Sequence, residues 1–364
     1  MSDLVRTTPA GLWCEAGGFF IDAWRPPAGS RVIVTHAHSD HAVVGAGSYL
    51  TARSGCELLR LRLGPDAAIE CLEVGEARQI GDVRVSLHPA GHVLGSAMVR
   101  IERRGEVWVV SGDYKIQPDA ASEPFELVPC HCFFSECTFG LPLYRWPDPE
   151  EVRREIQSWW AENQAAGRTS VIFGYSLGKA QRVLALLDEA QGPIFVHGAV
   201  ERFLPAYAAE GVRLPATTRS ERARVRAAKG RGMVIAPPSA AGSPWLRGFG
   251  DVSTAFASGW MRIRGARRRR NLDRGFVLSD HVDWPGLLET IRATGASRVG
   301  LMHGYTAPVT RWLREQGVDA FEVPTHYEGD EEGDAPGAAA EEDAAGARPA
   351  APDGDAADSP DEVA

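Results

Sequence analysis

The sequence predicts an α/β protein of two folded units followed by a disordered acidic tail, on three observations. The chain has 364 residues, above the ~100–200 typical of one domain. Its first 142 residues read mainly as strands and loops, whereas from Pro147 helical periodicity appears and strands alternate with helices. After Glu328 the composition collapses to Ala, Gly, Pro and acidic residues.

In the first unit the apolar runs GLWCEAGGFFID, RVIVTH, AIECLEV and DVRVSLHPA read as strands, and AMVRIE and EVWVVSGD as a hairpin across Arg103-Arg104-Gly105. The second unit opens with PEEVRREIQSWWAENQAAG, where Pro and acidic residues suit a helix start and Val152, Ile156 and Trp159/Trp160 share one face. Strand and helix then alternate: SVIFGY with GKAQRVLALLDEA, PIFVHG with AVERFLPAYAAEG, FVLSDH with WPGLLETIRATG, RVGLMHG with APVTRWLREQG. That order is the signature of a parallel sheet flanked by helices.

Net charge is −9, but the segment from Glu328 onward holds 13 acidic residues against one basic, Arg348. The preceding 327 residues therefore hold 38 Lys+Arg against 35 Asp+Glu, a mildly basic body with an acidic tail. With a single aliphatic larger than Ala, Val363, the tail cannot bury enough apolar surface to offset chain entropy. No stretch approaches the ~18 apolar residues of a membrane span, and the start, MSDLVRTTPAGLW, lacks the apolar core of a secretory signal. Six cysteines without a CxxC pair are too sparse for a disulfide scaffold, which points to a reducing cytoplasm.

The most informative segment is His36-Ala37-His38-Ser39-Asp40-His41, directly after the apolar run Val32-Ile33-Val34. Four ligand-type side chains within six positions, presented from the end of a strand, suit a divalent metal such as Zn²⁺. Alternate residues His36 and His38 can face one ion while Asp40 and His41 face a second. His92, after Pro89-Ala90-Gly91, and Asp113, after Ser111-Gly112, likewise end apolar strands at glycine turns. His88, His131, His197 and His326 match no such setting.

These motifs resemble those of the metallo-β-lactamase superfamily, an αββα sandwich with a two-metal site. The resemblance implies that His36, His38 and His92 hold one ion, that Asp40, His41 and a late histidine, His303 in Val299-Gly300-Leu301-Met302-His303-Gly304, hold the other, and that Asp113 bridges them. Asp22, ending FFID, would orient a ligand without binding metal. Phe134-Ser135-Glu136-Cys137-Thr138-Phe139-Gly140 and Leu278-Ser279-Asp280-His281-Val282-Asp283 resemble the acidic and histidine motifs of the β-CASP nucleases, which insert an α/β domain before the last ligand. That implies a first sandwich part over 1–144, an inserted domain over 145–270, a second sandwich part over 271–327 and a tail over 328–364. The set is most similar to bacterial ligase-associated DNA exonucleases, and Ser258-Gly259-Trp260-Met261 resembles a Gly-Trp turn of Artemis-type DNA nucleases.

What the resemblance implies is phosphodiester hydrolysis with two divalent ions, Zn²⁺ or Mn²⁺. Asp40, Glu136 and His281 would be the catalytic group, with His281, oriented by Glu136, protonating the leaving oxygen or contacting phosphate. DNA is the expected substrate, with an ATP-dependent DNA ligase and a helicase as partners and no membrane role. An RNA-processing nuclease of the RNase J or pre-mRNA cleavage type is the alternative, since in eukaryotic relatives a histidine at the position of His303 accompanies RNA. A catalytically dead scaffold and a small-molecule hydrolase fit less well, because every ligand position is filled and the inserted segment is present.

Phosphate contacts are expected from Ser176, Gly178 and Lys179, in a strand-to-helix turn that lacks the nucleotide-binding GxxxxGK[ST] spacing. The run Arg267, Arg268, Arg269 and Arg270 is expected to add others. A second basic segment comprises Arg219, Arg222, Arg224, Arg226, Lys229 and Arg231.

Overall fold

The computed structural model describes residues 3–263 and 272–325. Its first sheet runs in sequence order through β1 (Arg6–Thr8), β2 (Gly11–Cys14), β3 (Phe19–Ile21), β4 (Arg31–Ile33), β5 (Ser48–Ala52) and β6 (Ile69–Leu72). β1 to β3 form an antiparallel meander, and β3 to β6 are parallel. The second sheet begins with an antiparallel ladder, β7 (Ala77–Ile80), β8 (Val83–Pro89), β9 (Ala97–Arg103) and β10 (Glu106–Val110). Parallel strands β11 (Cys132–Cys137), β18 (Arg298–Gly304) and β19 (Asp319–Glu322) extend it. The strands between β11 and β18 in the sequence form a third sheet.

Period-2 alternation packs the first two sheets face to face. Val83, Val85, Leu87, Trp108, Val110 and Phe134 face Phe19, Ile21, Ile33 and Leu50. Their sequence neighbours Met98, Val107, Val109 and Phe133 point to the opposite side. Helices cover both outer faces. The outside of the first sheet carries α1 (Cys56–Leu63), which buries Leu58 and Leu59. This helix falls in the segment read as strands and loops; its arginine-rich, eight-residue sequence carries little helical periodicity. Cys56 of α1 and Cys71 of β6 form a disulfide, a single bridge where the cysteine spacing suggested none, while Cys14, Cys130, Cys132 and Cys137 are free and buried. The β9–β10 hairpin turns at Arg104 (φ 52°) and Gly105 (φ 82°), the two left-handed residues that a tight hairpin requires.

The third sheet, entirely parallel, has the order β14 (Thr217–Arg219), β13 (Ile194–Val196), β15 (Met233–Ala236), β12 (Thr169–Phe173), β16 (Val252–Ala257), β17 (Arg274–Phe276). On one face lie α2 (Pro149–Ala165), capped by the Asp148 carboxylate on the Glu150 amide, and α3 (Lys179–Ala185). The α2 face formed by Val152, Ile156, Trp159 and Trp160 is the buried one. The stretch AVERFLPAYAAEG splits into Gly198–Glu201 and α4 (Leu204–Ala209). Pro205 lacks an amide and crowds the carbonyl four residues back, so a continuous helix is interrupted. β17 pairs with β16 beyond residue 270, where the sequence reading placed the end of the insertion; Leu278–Asp283 is the loop that crosses back to the sandwich. There α5 (Trp284–Thr294), started by Asp283 and ended by left-handed Gly295, and α6 (Thr306–Glu315) cover the second sheet.

Phe134 sits in the inter-sheet core with its ring 5.8 Å from Trp108 and 5.7 Å from Phe321. Phe134→Ala is expected to destabilise the fold by about 3–5 kcal/mol, read as a lower urea midpoint at unchanged slope.

Candidate metal centre

Strand ends of the sandwich converge on one spot. The loop after β4 carries His36 to His41, the β8–β9 connection His92, the end of β10 Asp113, and β18 His303. A bulge sets the last of these: β11 and β18 pair as Glu136↔Met302 and then Cys137↔Gly304, so His303 is the extra residue, with φ 57°. Asp113 Oδ2 lies 3.6 Å from His36 Nε2, 3.7 Å from His92 Nε2 and 3.5 Å from His41 Nε2. His92 Nε2 and His38 Nδ1 are 3.1 Å apart, and Asp40 Oδ2 is 3.5 Å from His41 Nε2. Three donor groups result, His36/His38/His92/Asp113, His41/Asp113/His303 and Asp113/Glu136/His281, with Asp113 common to all three. Asp40 adjoins the second through His41.

Each of four imidazoles spends one nitrogen on an acceptor, which leaves the other to ligate metal in the neutral form of the ring. His92 Nδ1 donates to the Asp280 carbonyl at 3.0 Å, and His38 Nε2 to the Leu177 carbonyl at 3.2 Å. Asp22 accepts from His41 Nδ1 at 2.8 Å and from the Thr35 amide and hydroxyl at 2.8 and 2.6 Å. Since the Thr35 hydroxyl donates to Asp22, it accepts from His36 Nδ1 at 3.1 Å.

The donor set fits divalent metal. His36 Nε2 and His41 Nε2 are buried and have no hydrogen-bond partner among the described residues. Nitrogen ligands ~2.0–2.1 Å from a tetrahedral ion stand roughly 3.3 Å apart, close to the donor spacings above. Burial holds His36 and His92 well below the ordinary imidazole range, and His38 below it, so all three are neutral as ligation requires. Burial also opposes charge on His41, but the Asp40, Asp113 and Asp22 carboxylates outweigh it and raise His41 well above that range. Asp113 is pushed up by burial, yet His41, His281 and His36 hold it well below the carboxylate range.

Beside these donors sits His281. Both Glu136 oxygens lie 3.0 Å from His281 Nδ1, and Glu136 Oε1 also accepts from the Tyr114 amide at 2.8 Å. The His281 ring is 4.7 Å from that of His92.

The Gly174–Lys179 turn is used differently from its sequence reading. Lys179 is buried with Nζ 2.9 Å from Asp280 Oδ2, the Gly178 amide donates to Gln181 Oε1 at 2.7 Å, and Ser176 is buried. Instead of presenting donors to phosphate, the turn packs on Val93 and supplies the carbonyl that orients His38. Arg267 to Arg270, His326 and the acidic tail lie outside the described residues. In the other basic segment Arg224 pairs with Glu221, and Arg222 and Arg226 donate to the Gly248 carbonyl. His88, His131 and His197 bond Glu126, the Val107 amide and the Ala199 amide respectively, away from the centre.

Residues that sequence reading missed lie behind the centre: Lys115, Asp119, Arg182 and Asp280 are buried or nearly so and ion-paired with one another or with Lys179. For Arg182 the advance signal is charge on the buried face of α3; Lys115, Asp119 and Asp280 lie in loops.

Asp22→Ala removes the acceptor of His41 Nδ1 and is expected to weaken metal binding about 10–100-fold, as measured by chelator competition. Saturating Zn²⁺ is expected to raise the melting temperature, EDTA to reverse that shift, and Asp113→Ala to abolish it.

No family model matches the chain. It is 33% identical over 316 residues to a probable DNA ligase of Opitutus terrae, an alignment covering 86% of this chain and 30% of the ligase. It is 32% identical over 128 residues to endoribonuclease ysh-1 of Neurospora crassa, covering 34% of this chain and 15% of that protein. With an RNase J-like protein of Methanocaldococcus jannaschii it shares 24% identity over 199 residues, 48% of this chain and 46% of the relative. The chain thus spans less than half the length of each of these relatives. A crystal structure of a protein of unknown function from Enterococcus faecalis has the same fold, with a TM-score of 0.57 at 11% identity over 82% of this chain and 80% of that one. Taken with the two-sheet sandwich, the inserted parallel sheet and the His/Asp centre, these likenesses make the chain a homologue of the β-CASP nucleases of the metallo-β-lactamase superfamily.

Proposed function

We propose that the protein is a metal-dependent phosphodiesterase that removes nucleotides from DNA ends. The observation that carries the reading is His281, fixed by Glu136 beside two metal-donor groups that share Asp113. His36, His38, His92 and Asp113 would hold one ion, and Asp40, His41, Asp113 and His303 the other, with Zn²⁺ or Mn²⁺ as the metal. When bound, such a pair supplies a hydroxide of lowered pKa and neutralises charge on the phosphate.

The chain's own residues do the rest. Glu136 accepts a hydrogen bond from His281 Nδ1–H and leaves Nε2 as the other ring nitrogen, from which the imidazolium form can give its Nε2 proton to the departing oxygen and become neutral. The low exposure of His281 and Asp113 limits competing water. Asp22 and Thr35 keep His41 and His36 in their ligating tautomers.

Support for DNA comes from the Opitutus relative, named as a DNA ligase, whose aligned portion covers most of this chain. A nuclease that prepares ends for sealing is in keeping with that likeness; in this reading a DNA ligase and, from the family resemblance, a helicase are its partners in cytoplasmic repair. RNA is the second reading, favoured by the relatives named as ribonucleases and by His303.

The test is digestion of single-stranded DNA and RNA of matched sequence, labelled at either end, with Zn²⁺ or Mn²⁺. Stepwise loss from one end of DNA is expected, absent in Asp113→Ala. His281→Ala is expected to lose about 10²–10⁴-fold in turnover while retaining metal. Degradation confined to RNA would replace the DNA reading.

A further inference from the structure

The guanidinium of Arg182, on α3 of the inserted domain, occupies a junction that neither metal nor substrate explains. Arg182 is 3% exposed. Nη1 donates to the Ser279 carbonyl at 3.1 Å and to Asp280 Oδ1, and Nη2 donates to the carbonyls of His92 at 3.0 Å and Gly91 at 3.3 Å. Asp119 forms an ion pair with the same Nη2. One side chain therefore ties the loop of a metal donor, His92, to the loop of the proton carrier, His281. A second tie runs parallel to it, because the Asp280 carbonyl accepts from His92 Nδ1.

Charge alone does not account for this residue. Lys179 already neutralises Asp280 at 2.9 Å, and Lys115 Nζ lies 3.9 Å from Asp119 Oδ2. What Arg182 adds is a rigid planar fork able to serve several acceptors in fixed directions, a geometry that an ammonium on a flexible stem does not reproduce. Three of the acceptors it serves are main-chain carbonyls at the two loops, and through them it acts on the site by backbone placement.

We infer that Arg182 is a positioning residue through which the inserted domain sets the separation of His92 from His281, and with it both metal affinity and proton delivery. The metal half stands on the donor geometry; the proton half rests on the proposed phosphodiesterase reading.

The experiment uses the full chain with Arg182→Lys, which keeps the charge and removes the fork. Co²⁺ affinity by chelator competition, the Co²⁺ absorption spectrum, the melting temperature of the metal-free protein, and kcat and KM on end-labelled DNA with Mn²⁺ are measured. The expected result is about a 10-fold loss of Co²⁺ affinity with an altered spectrum, and a kcat at least 10-fold lower at a KM within about 2-fold of the parent. Co²⁺ affinity and spectrum equal to those of the parent would overturn the inference, even where the melting temperature falls, because Arg182 would then only stabilise the fold. Should Arg182→Lys fail to fold, Asp119→Asn, which frees one side of the fork, is expected to weaken Co²⁺ binding about 3-fold in the same direction, and an unchanged affinity there overturns it equally. A parent protein that hydrolyses neither DNA nor RNA would remove the phosphodiesterase reading and the proton half with it, while the Co²⁺ measurements still decide the metal half.

Discussion

A single carboxylate oxygen, Asp113 Oδ2, has three buried imidazole nitrogens within 3.5 to 3.7 Å. Polar groups removed from water at this density are costly unless compensated, and few arrangements compensate nitrogen lone pairs facing one another except positive charge placed between them. Much of the surrounding structure answers that constraint. Asp22 and Thr35, and the carbonyls of Leu177 and Asp280, each take an imidazole N–H, so that the remaining nitrogens face inward as acceptors.

The backbone meets the same demand with local irregularities. Asp22 (φ 44°) and His303 (φ 57°) are non-glycine residues in the left-handed region, and both belong to the centre. His303 reaches it because a bulge between β11 and β18 leaves one residue over. Gly112 (φ 56°), just before Asp113, lies where a β-carbon would meet the Thr35 side chain at 2.5 Å. Regular strands bring the ligands to one end of the sandwich, and departures from regularity aim them.

The site was more legible in the sequence than the fold around it. His36, His38, Asp40, His41, His92 and Asp113 sit beside apolar strand runs, and residue type together with position suffices to single out such potential donors. The Glu136–His281 pair was legible through motif resemblance. What sequence could not show was use: Lys179 resembles a phosphate ligand in a strand-to-helix turn, yet three-dimensional proximity to Asp280 decides its role. The same holds for Arg182, whose partners are up to 98 residues away in the chain. Helix α1 was hidden because its short arginine-rich stretch owes its helicity to packing on the first sheet, and β17 because FVLSDH is only in part a strand and crosses between sheets.

The carbonyl of Leu177 adds a consequence for motion. It belongs to the inserted domain, but its partner, His38, belongs to the sandwich. Arg182 and Lys179 cross the same seam. The inserted domain and the sandwich are therefore joined by buried hydrogen bonds and ion pairs beside the His/Asp donors, so displacing one against the other would break contacts that orient His38 and hold the His92 loop.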